Sequence, residues 1–381
     1  MIYIHIEQAI SCKASGGVNS VITDLSEEMA QEGYDVHVVS LQQHSNIDFN
    51  DQIEWGKKKN ISVAIMQKKN ESVFQQFFNL RRYIKQLNKK DKVCLFMHLK
   101  WGVLAGVVST LGLRNVCRVE VYHSGYMNYK LQSTLCKCFI KHHIAVSKEA
   151  KEQLIQQFHV KQSKITVVYN GVDVAGIRIK AKSFKPMQLT GLRFISVGRL
   201  TFEKGFLDSI SAFTNIKIKG DIPESQYYMI GDGQQRKEAT EISKGAVMFT
   251  GRIPREKVFE YIANSSCVIL PSLWEGNSIL LLEVLSIGKP VLVTDIPSFR
   301  EVLNFAPLED NEEFRICDFG IVFRKESPSS CEMAIRSFCS LDKIERDSMS
   351  QIIYKIADNY SLTKQAHEYV NIANGLSNLK N

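Results

Sequence analysis

The sequence predicts an α/β chain built as two doubly wound parallel sheets, one in each half. Three observations lead there. The chain has 381 residues, and one domain usually holds about 100–200. In the first half, short apolar strands alternate with stretches of helical period. The same rhythm then repeats in the second half, and strands that alternate with helices pair in parallel. With 44 % hydrophobic and 23 % charged residues, the composition is that of a folded chain and excludes disordered, collagen-like and disulfide-stapled classes.

Residues 2–6 read as the first strand. Gly16 and Gly17 open the loop after it, and Val18, Val21, Ile22, Leu25 and Met29 give the next helix one apolar face. Gly33 stops that helix and residues 36–39 form a second strand, which completes a βαβ start. Further strands are expected at 93–97, 118–122 and 143–146. In the second half they are expected at 194–197, 227–230, 247–249, 267–270 and 290–294, with a helix near 207–213. Residues 172–192 show no clear periodicity and read as a linker. The predicted division is a Rossmann-like domain over 1–172, a second one over 173–355, and a terminal helix within 356–381 that returns to the first.

The net charge of +8 is unevenly placed. Residues 1–172 carry 22 Lys and Arg against 14 Asp and Glu, a net +8, while residues 173–381 carry 26 of each. Between Lys57 and Lys148 there are 18 bases and 3 acids, a net +15. A solvated surface is one reading; a surface that meets an anionic membrane or lipid phosphate is the other. No aromatic–basic motif accompanies the charge, so a nucleic-acid partner is not expected. Residues 71–90 combine Phe74, Phe77, Phe78, Ile84 and Leu87 with Arg81, Arg82, Lys85, Lys89 and Lys90. Such a basic amphipathic helix either lies on a membrane or packs on the sheet like any surface helix. The opening residues read as a strand, so no secretory leader is expected. Its longest weakly polar stretch, 103–113, is about half of what a bilayer needs. Nine scattered cysteines suit a reducing, cytoplasmic compartment. Cys136 and Cys138 stand too close for the usual zinc spacing, so no metal site is expected.

Glycine at 16 and 17 lets bare backbone N–H groups approach an anion. The full G-x-G-x-x-G pattern and its later acidic residue are missing, which counts against a nicotinamide enzyme. Arg199 and Lys204 share one strand-to-helix loop. Forked guanidinium and point-charge ammonium suit a diphosphate, although two solvated charges fit as well. After the 267–270 strand comes a segment with Glu275, Gly276, Asn277, Ser278, Ile279 and Glu283. The turn at 276–278 leads into a helix beginning near Ser278, with Glu275 at its mouth. Glu283 sits among leucines and needs a polar partner: a ribose diol, or a structural arginine.

Taken in order, these pieces resemble the retaining, GT-B-fold nucleotide-sugar glycosyltransferases of family 4, over nearly the whole chain. The Gly16–Gly17 loop, His123 in Val121-Tyr-His-Ser, and Ala145-Val-Ser-Lys resemble the amino-terminal motifs. The stretch from Lys164 to Asp173 resembles the inter-domain segment. Gly198-Arg-Leu with Glu203-Lys-Gly, Ile230-Gly-Asp-Gly, Phe249-Thr-Gly-Arg and the Glu275/Glu283 pair complete the second domain.

The resemblance implies two domains facing across a cleft, the first for acceptor and membrane and the second for the nucleotide sugar. It implies that His123, Arg199, Lys204 and Glu275 are catalytic. It places the donor against Gly16, Gly17, Arg199, Lys204, Glu275, Asn277, Ser278, Ile279 and Glu283. Arg252 and Ile253 fall near the base, while Gly231 and Asp232 read as turn residues. The implied reaction moves a hexose from a nucleoside diphosphate, UDP before GDP, to a glycan or polyprenyl-linked acceptor, at the inner face of the membrane. A soluble small-molecule acceptor and a non-catalytic binding subunit are the alternatives. Two departures bear on sugar identity: Ser278 stands where the family often has glycine, and residues 294–301 lack the family's paired glycines. No Asp-x-Asp occurs, so the expectation is a metal-independent enzyme with no cofactor beyond the donor.

Overall fold

The computed structural model describes residues 1–10, 17–42, 49–67, 72–123, 136–187 and 191–378. Gly16 lies outside the described residues, as does residue 71. The chain divides into Met1–Gly171 with Leu362–Asn381, and Val172–Ser361.

The first unit holds seven parallel strands: β1 (Ile2–Glu7), β2 (Asp35–Ser40), β3 (Ser62–Ile65), β4 (Val93–His98), β5 (Val116–Tyr122), β6 (His142–Ala145) and β7 (Ile165–Val167). Their order is β3-β2-β1-β4-β5-β6-β7. Strands β1 and β4 are buried along their whole length, because helices cover both faces of such a sheet. One face packs on the Gly17–Gln31 helix through Ile22, Leu25 and Met29, together with Tyr369 and Val370 of the terminal helix Leu362–Asn378. The other face packs on Leu80 and Ile84 of the Val73–Leu87 helix and on Val103 and Val107 of the Leu99–Thr110 helix.

The second unit repeats the plan with β8 (Arg193–Val197), β9 (Gln226–Ile230), β10 (Met248–Gly251), β11 (Cys267–Leu270), β12 (Val291–Thr294), β13 (Phe314–Cys317) and β14 (Gly320–Phe323). The order is β10-β9-β8-β11-β12-β14-β13. All pairs are parallel except β13 with β14, an antiparallel hairpin at the edge. Strand order reverses between β1 and β4 and again between β8 and β11. Open α/β sheets bind ligands at such switch points, beyond the carboxyl ends of the strands.

Residues 172–192 are more than a linker. Val174–Ser183 is a helix, and the Asp173 carboxylate caps it by accepting from Gly176 N at 2.8 Å. Only Val174 and Ile177 of that helix are buried, too few to stand out as a period. Residues 356–361 finish the Lys343–Ala357 helix and its following turn and stay with the second unit.

Candidate active site

In the second unit, three loops leave the sheet at β8, β9 and β11, joined backbone to backbone. Gly198 N donates to Ile230 O at 2.9 Å, Leu200 N to Asp232 O at 3.1 Å, and Leu273 N to Glu203 O at 2.9 Å. Two glycines permit this. A Cβ at Gly231 would stand 1.9 Å from the Gly198 carbonyl oxygen, and one at Gly205 would stand 2.1 Å from that of Pro271. Both residues also hold positive φ, 133° and 61°, where a side chain is strained. Gly231 and Asp232 are therefore turn residues: the Asp232 carboxylate accepts from Gly233 N at 2.8 Å.

This zipper brings the predicted charged residues of β8 and β11 together. Lys204 Nζ donates to Glu275 Oε1 at 2.5 Å, and Ser272 Oγ donates to the same oxygen at 2.9 Å. Arg199 is exposed on the loop that carries Lys204. Burial pushes the Glu203 carboxyl up, but the Thr201 hydroxyl at 2.6 Å, its own backbone N–H, Arg199 and Lys204 together hold it below its ordinary value. The rings of Phe202 and Trp274 lie 6.0 Å apart, one from each loop. Asn277 and Ser278 are buried, and Ser278 Oγ caps the Ile279–Ile287 helix by accepting from Leu281 N at 3.4 Å. Ser278, which departs from the family pattern, is thus a helix cap here. First-turn N–H groups behind it give that end a positive dipole.

Glu283 is only 7 % exposed and has found its partner. Arg255 Nε donates to Glu283 Oε1 at 2.8 Å, and a terminal guanidinium nitrogen lies 2.6 Å from the same oxygen. Glu283 thus has the structural arginine as a partner, and a ribose would share the carboxylate with it. The sequence left Arg255 unassigned. The available signal was Glu283 itself, an acid in an apolar helix, together with a base at the start of the Arg255–Ala263 helix alongside. Arg252 is exposed and Ile253 half-buried; both follow β10, two strands out from β8.

Gly17 and His123 belong to the first unit. Gly17 starts its helix, and beyond its chain neighbours and the helix's own backbone no atom of the described residues lies within 4 Å of where its Cβ would stand. His123 follows β5. Its Nε2 lies 2.9 Å from His98 Nδ1, and His98 Nε2 lies 3.0 Å from His5 Nδ1. Burial pushes His123 down to about 4 and His5 to about 3, and lowers His98 as well. His98 and His5 were not singled out in the sequence, although each is the one histidine of a fully buried strand. His123 also lines an apolar hollow with Leu99, Val103, Tyr122 and Phe158, and the Glu120–His143 pair, 2.7 Å apart, forms part of its wall.

Two family models match in series: Glycosyltransferase Family 4 over residues 15–175 and Glycosyl transferases group 1 over residues 178–355. The chain belongs to the family 4 glycosyltransferases. The fold of this glycosyltransferase is GT-B. A glycosyltransferase from Rickettsia africae ESF-5 superposes with TM-score 0.77 at 15 % identity, covering 100 % of this chain and 99 % of that one. Anabaena Alr3699/HepE in complex with UDP gives TM-score 0.73 at 16 % identity, covering 100 % of both. In sequence, the chain is 31 % identical over 166 residues to the Escherichia coli UDP-Gal:alpha-D-GlcNAc-diphosphoundecaprenol alpha-1,3-galactosyltransferase, 40 % of this chain and 42 % of that protein. It spans about half the length of the curated relatives it matches, 44 % and 57 % of two others.

Proposed function

We propose that this glycosyltransferase moves a hexose from a UDP-sugar, with retention of configuration, to a glycan or polyprenyl-linked acceptor in surface polysaccharide or glycolipid assembly. The observation that carries the reading is the set Arg199, Lys204, Glu275 and the Ser278-capped helix N-terminus at the β8/β11 switch point. As the glycosidic bond breaks, negative charge grows on the leaving β-phosphate. Fixed cations and a helix N-terminus aimed at it stabilise the transition state more than the ground state. Glu275 holds the Lys204 ammonium in place before the donor arrives. UDP in the Anabaena neighbour and the names of the E. coli transferase's substrates support the choice of base and acceptor class. The test is thermal unfolding with a panel of nucleotide sugars, followed by product analysis. A donor at 100 times its dissociation constant should add about 2.7 kcal/mol of stability. No stabilisation by any UDP- or GDP-sugar, and no transfer, would refute the reading.

Metal independence follows from the same set, since Arg199 and Lys204 supply the positive charge and the sequence lacks Asp-x-Asp. Excess chelator should leave most activity intact. Complete loss that magnesium or manganese restores would count against it.

The site of membrane contact is proposed on the Val73–Leu87 helix. No helix among the described residues is long and apolar enough to cross a membrane. On this helix Leu80, Ile84 and Leu87 are buried, whereas Phe74 and Phe78 are 74 % and 66 % exposed. Arg82 and Lys85 continue the same exposed stripe, and Lys89 extends it past the helix end. Phe77 packs on the core. Arg81 is already committed, donating to the carbonyls of Ser109 and Leu111 at 3.0 and 2.8 Å. An anionic leaflet attracts each nearby base by about 1 kcal/mol, and exposed phenylalanines add apolar insertion. Co-sedimentation should require anionic vesicles and should weaken in 1 M salt, where the Debye length is about 3 Å. It should also weaken when Arg82 and Lys85 become Glu or Phe74 and Phe78 become Ser. Equal sedimentation with neutral and anionic vesicles, or none with either, would remove the membrane from the proposal.

A further inference from the structure

Three imidazoles stand in a row within the first unit: His123 after β5, His98 at the end of β4, and His5 in β1. Both N···N contacts are at hydrogen-bond distance, 2.9 and 3.0 Å. His98 and His5 are fully buried, and His5 stacks on Phe96 with ring centres 5.1 Å apart. Among the described residues, no carboxylate is paired with any of the three rings. Burial keeps all three neutral at ordinary pH. A neutral imidazole carries one proton, and each N···N contact needs one.

Only two neutral arrangements then satisfy both contacts. In the first, every ring carries its proton on Nδ1, so that His5 donates to His98, His98 donates to His123, and His123 Nδ1–H is left over. In the second, every proton sits on Nε2, so that His5 Nε2–H is left over. His5 Nε2 is buried and has no partner among the described residues. The first arrangement leaves a bare lone pair there; the second leaves an orphaned N–H. Buried N–H groups are rarely left orphaned.

We propose that His98 and His5 are positioning residues that fix His123 as the Nδ1–H tautomer, so that it offers the donor sugar a hydrogen-bond donor and not a base. This rests on the reading of His123 as a ligand of the donor sugar. The backbone next to His98 supports a built device: Leu99 holds φ 53°, a left-handed conformation that leucine rarely adopts. The helix it starts is pressed against β1, where a Cβ at Gly102 would stand 2.5 Å from Ile6 O.

The test is two-bond ¹H–¹⁵N correlation on the full chain labelled at histidine, which reads tautomer and charge without a ligand. His123 and His98 should both carry the proton on Nδ1 at pH 7, and His123 should stay neutral down to pH 5. In His98→Asn the side-chain amide replaces the Nδ1 donor, so His123 should keep its tautomer. In His98→Phe the donor is gone, and the proton of His123 should no longer be confined to Nδ1. In the transfer reaction with UDP-glucose, UDP-galactose or UDP-N-acetylglucosamine, His98→Phe should lose about tenfold or more in kcat/KM, with most of it restored in His98→Asn. Nε2–H or protonated His123 in the wild type at pH 7 would overturn the proposal. If His98→Phe fails to fold, the wild type and His98→Asn still decide it. The expected tautomers without turnover of any nucleotide sugar would instead remove the functional reading.

Discussion

Lys204→Ala should lower turnover about a hundredfold while the fold persists, because losing one charged contact to the phosphate charge that develops in the proposed reaction is worth roughly 3 kcal/mol in the barrier. Arg199→Ala should give a loss of the same order. Both side chains sit on a surface loop held by backbone hydrogen bonds, so neither change opens a cavity. Lys204→Ala leaves Glu275 with only the Ser272 hydroxyl of its two recorded donors. Glu275→Gln in the Lys204→Ala background separates the two contributions, since it removes the unpaired charge without supplying a cation. The checks are kcat with saturating donor and thermal unfolding of each variant. Activity of both single variants within a factor of two of wild type would sink the diphosphate assignment.

Acid destabilises the first unit over a defined window. Burial pushes His5 to about 3 and His123 to about 4 from the ordinary 6.5. The unfolded chain therefore binds more protons than the folded one between pH 6.5 and 4, and stability must fall as pH falls through that range. From pH 7 to pH 5 each such histidine removes about 2 kcal/mol, about 4 kcal/mol for the two. His37 and His142, also lowered by burial, act in the same direction. Glu7 and Glu368, raised by burial, oppose it by binding protons in the folded state. Thermal unfolding should show a drop in Tm of about 10 °C between pH 7 and pH 5. His123→Asn should show a smaller drop. Equal Tm at the two pH values would mean the histidines are not held neutral by the fold.

Much of the architecture was legible because it depends on period and punctuation. Apolar runs such as residues 93–97 and Cys267–Leu270 read as strands buried on both faces, and Gly33 stands just past a helix, where the local sequence puts its stop. Four strands were not read from the sequence: β3, β7, β13 and β14 each form beside a neighbouring strand that supplies their hydrogen bonds.

The candidate site divides in the same way. By itself the sequence determined which residues stand at the ends of β8 and β11, since strand, loop and helix are local and Arg199, Lys204, Glu275 and Ser278 fall between them. Only the tertiary structure decided who meets whom. Lys204 and Glu275 are 71 positions apart and touch because glycines at 205 and 231 let three loops close on one another. Arg255 reached Glu283 because two helices lie side by side, and His5, His98 and His123 form a row because β1, β4 and β5 are neighbours out of sequence order. Such pairings depend on sheet order and close packing, which are cooperative properties of the folded chain and leave no periodic trace in its sequence.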